Sequence, residues 1–423
     1  GDNKAKLAQF SFLMVIPPIL GEALLGGIIM NFSKKRLRIA GLLLGMTMFG
    51  SIFAGCGGEE AANSDEIKIG ANFEMTGNVA NYGTTTLEGL KLAIKEANDA
   101  GGINGKKITL VEADNKSDPA EAANAATKLI SDDKVVAIVG PATSGAVQAE
   151  SQVATENKVP IIAPDATSPD ITVENGQVKP FVFRGCFIDP LQSNTMAAFA
   201  ANELKAKTAV IYLDSSTDYS KSLAEVFKNK FEALGGKVVM EEAFVAKDQD
   251  FKATLTNIKT ANADIIYIPA YYEEVGKIVK QARELGITQP ILGTDGWDDT
   301  KVVDIAGADA LNNTYFITHY TETDPDAKAF VDAFTKEYGH APGVFAALGY
   351  DAGKMLVDAI KRAGSTDPEA IQKALAETKD LQVGTGKLTV DENHNLIKNA
   401  FIIEMKDGNK VLKQRVTPTT AEG

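Results

Sequence analysis

The chain has 423 residues, 44% of them hydrophobic and 23% charged, the balance of a globular protein with room for two or three domains. Its 56 acidic side chains outweigh 43 basic ones, a net charge of −13 that disfavours binding to a phosphate backbone. Two cysteines (Cys56, Cys186) are too few for a disulfide scaffold or structural zinc, and three dispersed histidines (His319, His340, His394) leave little for a metal centre.

In chain order, the first feature is an apolar run over residues 10–27, broken by Pro17-Pro18. It weakly resembles a membrane segment of undecaprenyl-diphosphate phosphatases. Residues 1–29 are therefore expected to be upstream sequence joined ahead of a true start at Met30, or else a further membrane segment. From Met30 a basic stretch, Lys34-Lys35-Arg36-Leu37-Arg38, precedes an apolar run to Phe53, and residues 30–55 read as a secretory signal. Phe53-Ala54-Gly55-Cys56 resembles a bacterial lipobox, usually Leu-Ala-Gly-Cys, which implies cleavage before Cys56 and a lipid on its thiol. The competing reading is a membrane-spanning helix that ends at a chance cysteine. Residues 56–66 form a polar, structureless spacer. Together these features predict a protein tethered outside the membrane.

The remainder alternates strand and helix. Short β-branched or aliphatic runs lie at residues 67–71, 107–112, 135–139, 159–163, 181–184, 208–213, 237–240, 263–268, 290–292 and 314–318. Between the first two, Leu87, Leu90, Ile94 and Ala97 fall on one face of a helix, expected to open after Thr84-Thr85-Thr86 and stop at Gly101-Gly102. Continuously apolar strands separated by helices predict parallel sheets covered on both faces. Ten or more strands suit two such sheets better than one. The fold class is therefore α/β, in two lobes.

Polar, aromatic and glycine-rich clusters fall just past the strand ends: residues 72–83, 140–145, 164–169, 214–219, 269–274 and 293–297. Ligands of open α/β sheets bind at that edge, where helix N-termini also present free N–H groups to an anion. Any one of these loops could be an ordinary turn. Six together, with tyrosine in three, point to a small polar ligand with some apolar body.

Enzyme motifs fail in turn. Gly101–Lys107 lacks the first glycine and the terminal Ser/Thr of a phosphate loop. Ser131-Asp132-Asp133-Lys134 matches Ser-x-x-Lys only by count, and neither Gly-x-Ser-x-Gly nor His-Glu-x-x-His occurs. Cys186 reads as a buried structural thiol rather than a nucleophile. His394, within Glu392-Asn393-His394-Asn395, reads as part of a solvated turn.

The run from Gly70 to Gly83, then Gly101-Gly102-Ile103-Asn104-Gly105, Asp118-Pro119, Pro164–Pro169, Tyr271-Tyr272-Glu273 and Lys280–Gly286, resembles the leucine/isoleucine/valine-binding protein family of ABC transporters. The likeness runs from about residue 67 to about 403. It implies a type 1 periplasmic binding fold whose two Rossmann-like lobes, joined by three crossovers, close on an amino acid. The expected division gives one lobe residues 67–186 and 320–397, the other 187–319 and 398–415. By the resemblance, Ser144 bonds the ligand carboxylate, while the backbone at Asp165 and Ala166 and the hydroxyl of Thr167 contact its amino and carboxylate groups. Tyr219 and Tyr271 reach in from the second lobe, Asp295 faces the ammonium where relatives commonly have Glu, and Tyr82 lies against the side chain. Asp165 replaces a small residue, and Ser117 and Thr143 stand where some relatives form a disulfide. The resemblance implies no cofactor and no catalysis. Its partners would be an amino acid, the permease and, through Cys56, the membrane; a monomer is expected. Binders of amides, urea or aromatic acids, an amino-acid sensor and a secreted amide hydrolase stay open.

Overall fold

The computed structural model describes residues 66–423; Cys56, the signal segment and most of the spacer lie outside the described residues. The first sheet is built from β1 (Glu66–Phe73), β2 (Lys107–Asp114), β3 (Ala137–Val139), β4 (Ile161–Ala163) and β5 (Val182–Arg184), all parallel, in the order β2-β1-β3-β4-β5. The second contains β6 (Thr208–Asp214), β7 (Lys237–Phe244), β8 (Ile265–Tyr267), β9 (Ile291–Gly293) and β10 (Thr314–Thr318), wound in the same sense as β7-β6-β8-β9-β10. An antiparallel hairpin, β11 (Ala400–Lys406) and β12 (Asn409–Val416), extends it past β10. Strands β3, β4 and β5 are buried at every residue, as strands covered on both faces must be.

The chain passes between the two sheets three times. It leaves β5 through residues 185–188, returns from β10 through 319–327, and leaves again through 398–399 into β11. In each sheet the strand order reverses beside the first strand, which opens a crevice at the carboxyl ends there. The structure thus has the two-lobed, mostly parallel α/β architecture.

Two local expectations are corrected. Helix α1 (Ala80–Asp99) starts about two turns before the expected point. Thr84, Thr85 and Thr86 do not cap it from outside; their hydroxyls donate back to the carbonyls of Ala80 (2.9 Å), Asn81 (2.6 Å) and Tyr82 (2.8 Å). Tyr82 consequently stands on a helix rather than in a loop. His394 lies in a turn but is not solvated. Its ring stacks on Phe183 at 4.0 Å and Nδ1 donates to the Val182 carbonyl at 2.9 Å, a bond that satisfies the strand beneath it.

Helix α1 crosses a long helix of the same lobe, Val344–Ala363, at backbone distance. A Cβ on Gly89 would lie 1.8 Å from the Ala346 carbonyl, and one on Gly349 would lie 2.0 Å from that of Thr86. Only glycine permits that approach, and it carries Tyr82 and Phe345 to the same edge of the sheet.

Candidate functional site

Loops after β1, β3 and β4 face loops after β6, β8 and β9 across the crevice. They enclose a small cavity lined by Tyr82, Ala142, Thr143, Ser144, Asp165, Tyr219, Tyr271, Asp295, Gly296 and Phe345. Six of the sequence-predicted residues meet here: Tyr82, Ser144 and Asp165 from one side, Tyr219, Tyr271 and Asp295 from the other. Ala166 and Thr167 follow Asp165 in its loop but do not line the cavity. The Ala166 carbonyl accepts from Arg184 Nη1 (2.7 Å) and from the Cys186 thiol (3.1 Å).

Buried charge holds the first wall in shape. Arg184, fully buried, donates also to the Ser168 carbonyl (2.9 Å) and to Asn395 Oδ1 (2.7 Å), which fixes the 164–169 loop. Glu74 accepts from the backbone N–H groups of Ala142 (3.0 Å) and Thr143 (3.1 Å) and so fixes the loop after β3. Burial pushes its carboxyl up despite those bonds. Ser144 then opens helix α2 (Ser144–Asn157), where first-turn N–H groups lack carbonyl partners and favour an anion. Its Oγ accepts from the Ser168 N–H at 3.2 Å, tying the two loops together.

The second wall is organised on Asp295, which is buried. Its Oδ1 accepts from the Tyr219 hydroxyl (2.7 Å) and Gln192 Nε2 (3.2 Å), and its Oδ2 pairs with His319 Nε2 (2.7 Å). Burial holds His319 below its ordinary range, even though the neighbouring carboxylate raises it. A neutral ring donating from Nε2 meets both facts. Tyr219 and Tyr271 stack at 4.7 Å between centroids, and Tyr82 packs on Tyr271 (5.5 Å) and Phe345 (4.5 Å). Burial raises the phenols of Tyr82, Tyr219 and Tyr271 well above their ordinary range, so all three remain donors.

The walls are latched to each other. The Tyr82 hydroxyl donates to the Gly296 carbonyl and accepts from the Tyr272 N–H at 3.2 Å. Asn81 Nδ2 reaches both oxygens of Asp299, at 2.7 and 2.6 Å, and Asn78 Nδ2 reaches Glu274 Oε1 at 3.2 Å. The structure is therefore of the closed arrangement.

Sequence reasoning missed Phe345, Gln192, His319 and Arg184. His319 directly follows β10, so the strand-end rule could have found it. Phe345 lies in a helix that reads as core, and Gln192 becomes visible only through Asp295, 103 residues away.

Two similarly wound α/β lobes enclosing a small cavity of hydroxyls, acids and aromatic rings define a two-lobed solute-binding protein. The chain belongs to the periplasmic binding protein family, whose members are extracytoplasmic; residues 66–410 match it. It is 42% identical to the branched-chain amino acid transporter substrate-binding protein LivJ of Streptococcus pneumoniae, solved with isoleucine. That match has a TM-score of 0.79 over 84% of this chain and all of the other. A leucine-binding protein LivK of Thermotoga maritima is 39% identical, with a TM-score of 0.78 over 83% of this chain and 99% of that one. The Leu/Ile/Val-binding protein BraC3 of Rhizobium johnstonii is 34% identical over 82% of this chain and 93% of its own length. Among the described residues no helix is long and apolar enough to cross a membrane.

Proposed function

We propose that this chain is the solute-binding component of an ABC importer, which captures a branched-chain amino acid between its lobes and delivers it to the membrane permease. The observation that carries this reading is the pairing, across one closed cavity, of an acid and an anion-binding helix start with a wall of aromatic rings. Asp295 suits an ammonium, Ser144 and the start of α2 suit a carboxylate, and Tyr82 and Phe345 suit an aliphatic side chain. Micromolar affinity needs only about 8 kcal/mol, within reach of a few charge-assisted hydrogen bonds and one buried side chain. A ligand touching both walls stabilises the closed form over the open one, and the permease reads that difference.

The reading includes no covalent chemistry. The Cys186 thiol is committed to the Ala166 carbonyl and burial pushes it up, far from a reactive thiolate. It also includes lipid anchoring through Cys56 and a monomeric state. Calorimetry on protein stripped of ligand tests the solute: saturable heat with leucine, isoleucine or valine, and none with lysine or glutamate, is expected. No heat with any natural amino acid refutes the assignment. Cys56→Ala tests the anchor, since it is expected to move the protein from the membrane fraction to the soluble one.

A further inference from the structure

Asp165 is an unusual wall for an aliphatic ligand. Its side chain lines the cavity and is buried, and Oδ1 has no hydrogen-bond partner among the described residues. Oδ2 stands 2.7 Å from Thr86 Oγ1, and that hydroxyl also lies 2.8 Å from the Tyr82 carbonyl. One hydroxyl has one proton to give. Both contacts become hydrogen bonds when the carboxyl carries its own proton: Asp165 donates to Thr86, and Thr86 donates to Tyr82. Burial, with Glu74 and Asp295 adding negative charge nearby, pushes this carboxyl well above its ordinary range against the opposing pull of the Thr86 contact and the buried Lys398 ammonium, in keeping with that count. Oδ1 is then a neutral acceptor on the cavity wall.

Its place in the cavity narrows what it serves. Thr86 lies one helical turn beyond Tyr82, whose ring packs on Phe345, so the Asp165 carboxyl sits on the wall that carries those two rings. Asp295, with its three donors, occupies the other wall. A purely aliphatic side chain leaves the buried Oδ1 without a partner, and a hydroxyl at the same position supplies one. A neutral acid gives a cationic side chain no charge pairing.

Resting on the amino-acid reading above, we propose that Asp165 is a specificity residue whose free Oδ1 accepts a hydrogen bond from a donor on the ligand side chain, favouring threonine over its isostere valine. The test is calorimetry of both amino acids with the full chain, wild type against Asp165→Ala and Asp165→Asn. In Asp165→Ala the threonine-to-valine affinity ratio is expected to fall about tenfold or more. In Asp165→Asn it is expected to stay within about threefold, because the amide reproduces the protonated acid, donating to Thr86 and keeping its oxygen on the cavity. Should the alanine variant not fold, Asp165→Val is read in its place with the same expectation. A ratio unmoved by the acceptor-free variant, or lost equally in Asp165→Asn, overturns the proposal. If valine and threonine both bind and the ratio does not move, only the role of Asp165 falls; if wild type binds no amino acid, the amino-acid reading falls and takes this one with it.

Discussion

Replacing Asn81 with alanine should weaken ligand binding without touching the cavity. Asn81 does not line the site; its amide reaches the Asp299 carboxylate across the cleft through two contacts of 2.7 and 2.6 Å. Asp299 is buried, its carboxyl pushed up by that burial, and it also accepts from the Lys301 backbone N–H at 2.8 Å. A hydrogen bond to a charged group contributes about 1.5–3 kcal/mol. Because this bond joins the two lobes, its loss falls on the closing equilibrium and passes to the apparent affinity. At about 2 kcal/mol the dissociation constant for isoleucine rises about 30-fold. Calorimetry gives that constant, and urea unfolding of ligand-free protein checks that overall stability is little changed. A shift of less than threefold would refute the assignment of Asn81 as a latch.

Two further outcomes follow from packing and from charge. Gly89→Ala drives a Cβ to 1.8 Å from the Ala346 carbonyl, so the helix crossing must open, at a cost of about 3 kcal/mol in urea unfolding; an unchanged midpoint would mean the helices are not held at backbone contact. Asp189, beside Gln192, has its carboxyl pushed up to about 7 by burial, whereas the unfolded chain ionises near 3.9. The native state therefore holds a proton that the unfolded state releases, and stability is lost as pH rises from about 4 to about 7. The shift is worth about 4 kcal/mol, so the advantage of Asp189→Asn over wild type should grow from near zero at pH 4 to about that value at pH 8. Urea unfolding at each pH measures it, and a difference that is flat with pH would refute the sign.

Much of this was legible because two periodicities and one topological rule cover most of the chain. Strands such as Ile161–Ala163, buried on both faces, show as unbroken apolar runs, and ligand contacts gather where such runs end. Ser144, Asp165, Tyr219, Tyr271 and Asp295 all follow strand ends and all reach the cavity. What stayed hidden depends on pairings between distant segments. Phe345 is one apolar residue in a helix of many, and only its crossing with α1 turns it to the site. In the hairpin beyond β10, β12 escaped notice because it is exposed along nearly its whole length and carries no apolar stripe, whereas β11 is a buried apolar run that the strand rule could have found. The early start of α1 was masked by three threonines that satisfy their hydroxyls within the helix instead of capping it.

The third crossing has a consequence for how the molecule comes into being. Neither lobe is complete until the last quarter of the chain has been made: the first awaits the helix that covers α1, and the second awaits β11 at residues 400–406. Contacts spanning more than 250 residues, such as Tyr350 to Glu96, must form across most of the polypeptide. Such long-range closure is slow compared with local folding. A growing chain of this design therefore cannot complete either lobe through most of its synthesis, and a polypeptide without a finished lobe can still be threaded through a narrow pore and fold on the far side.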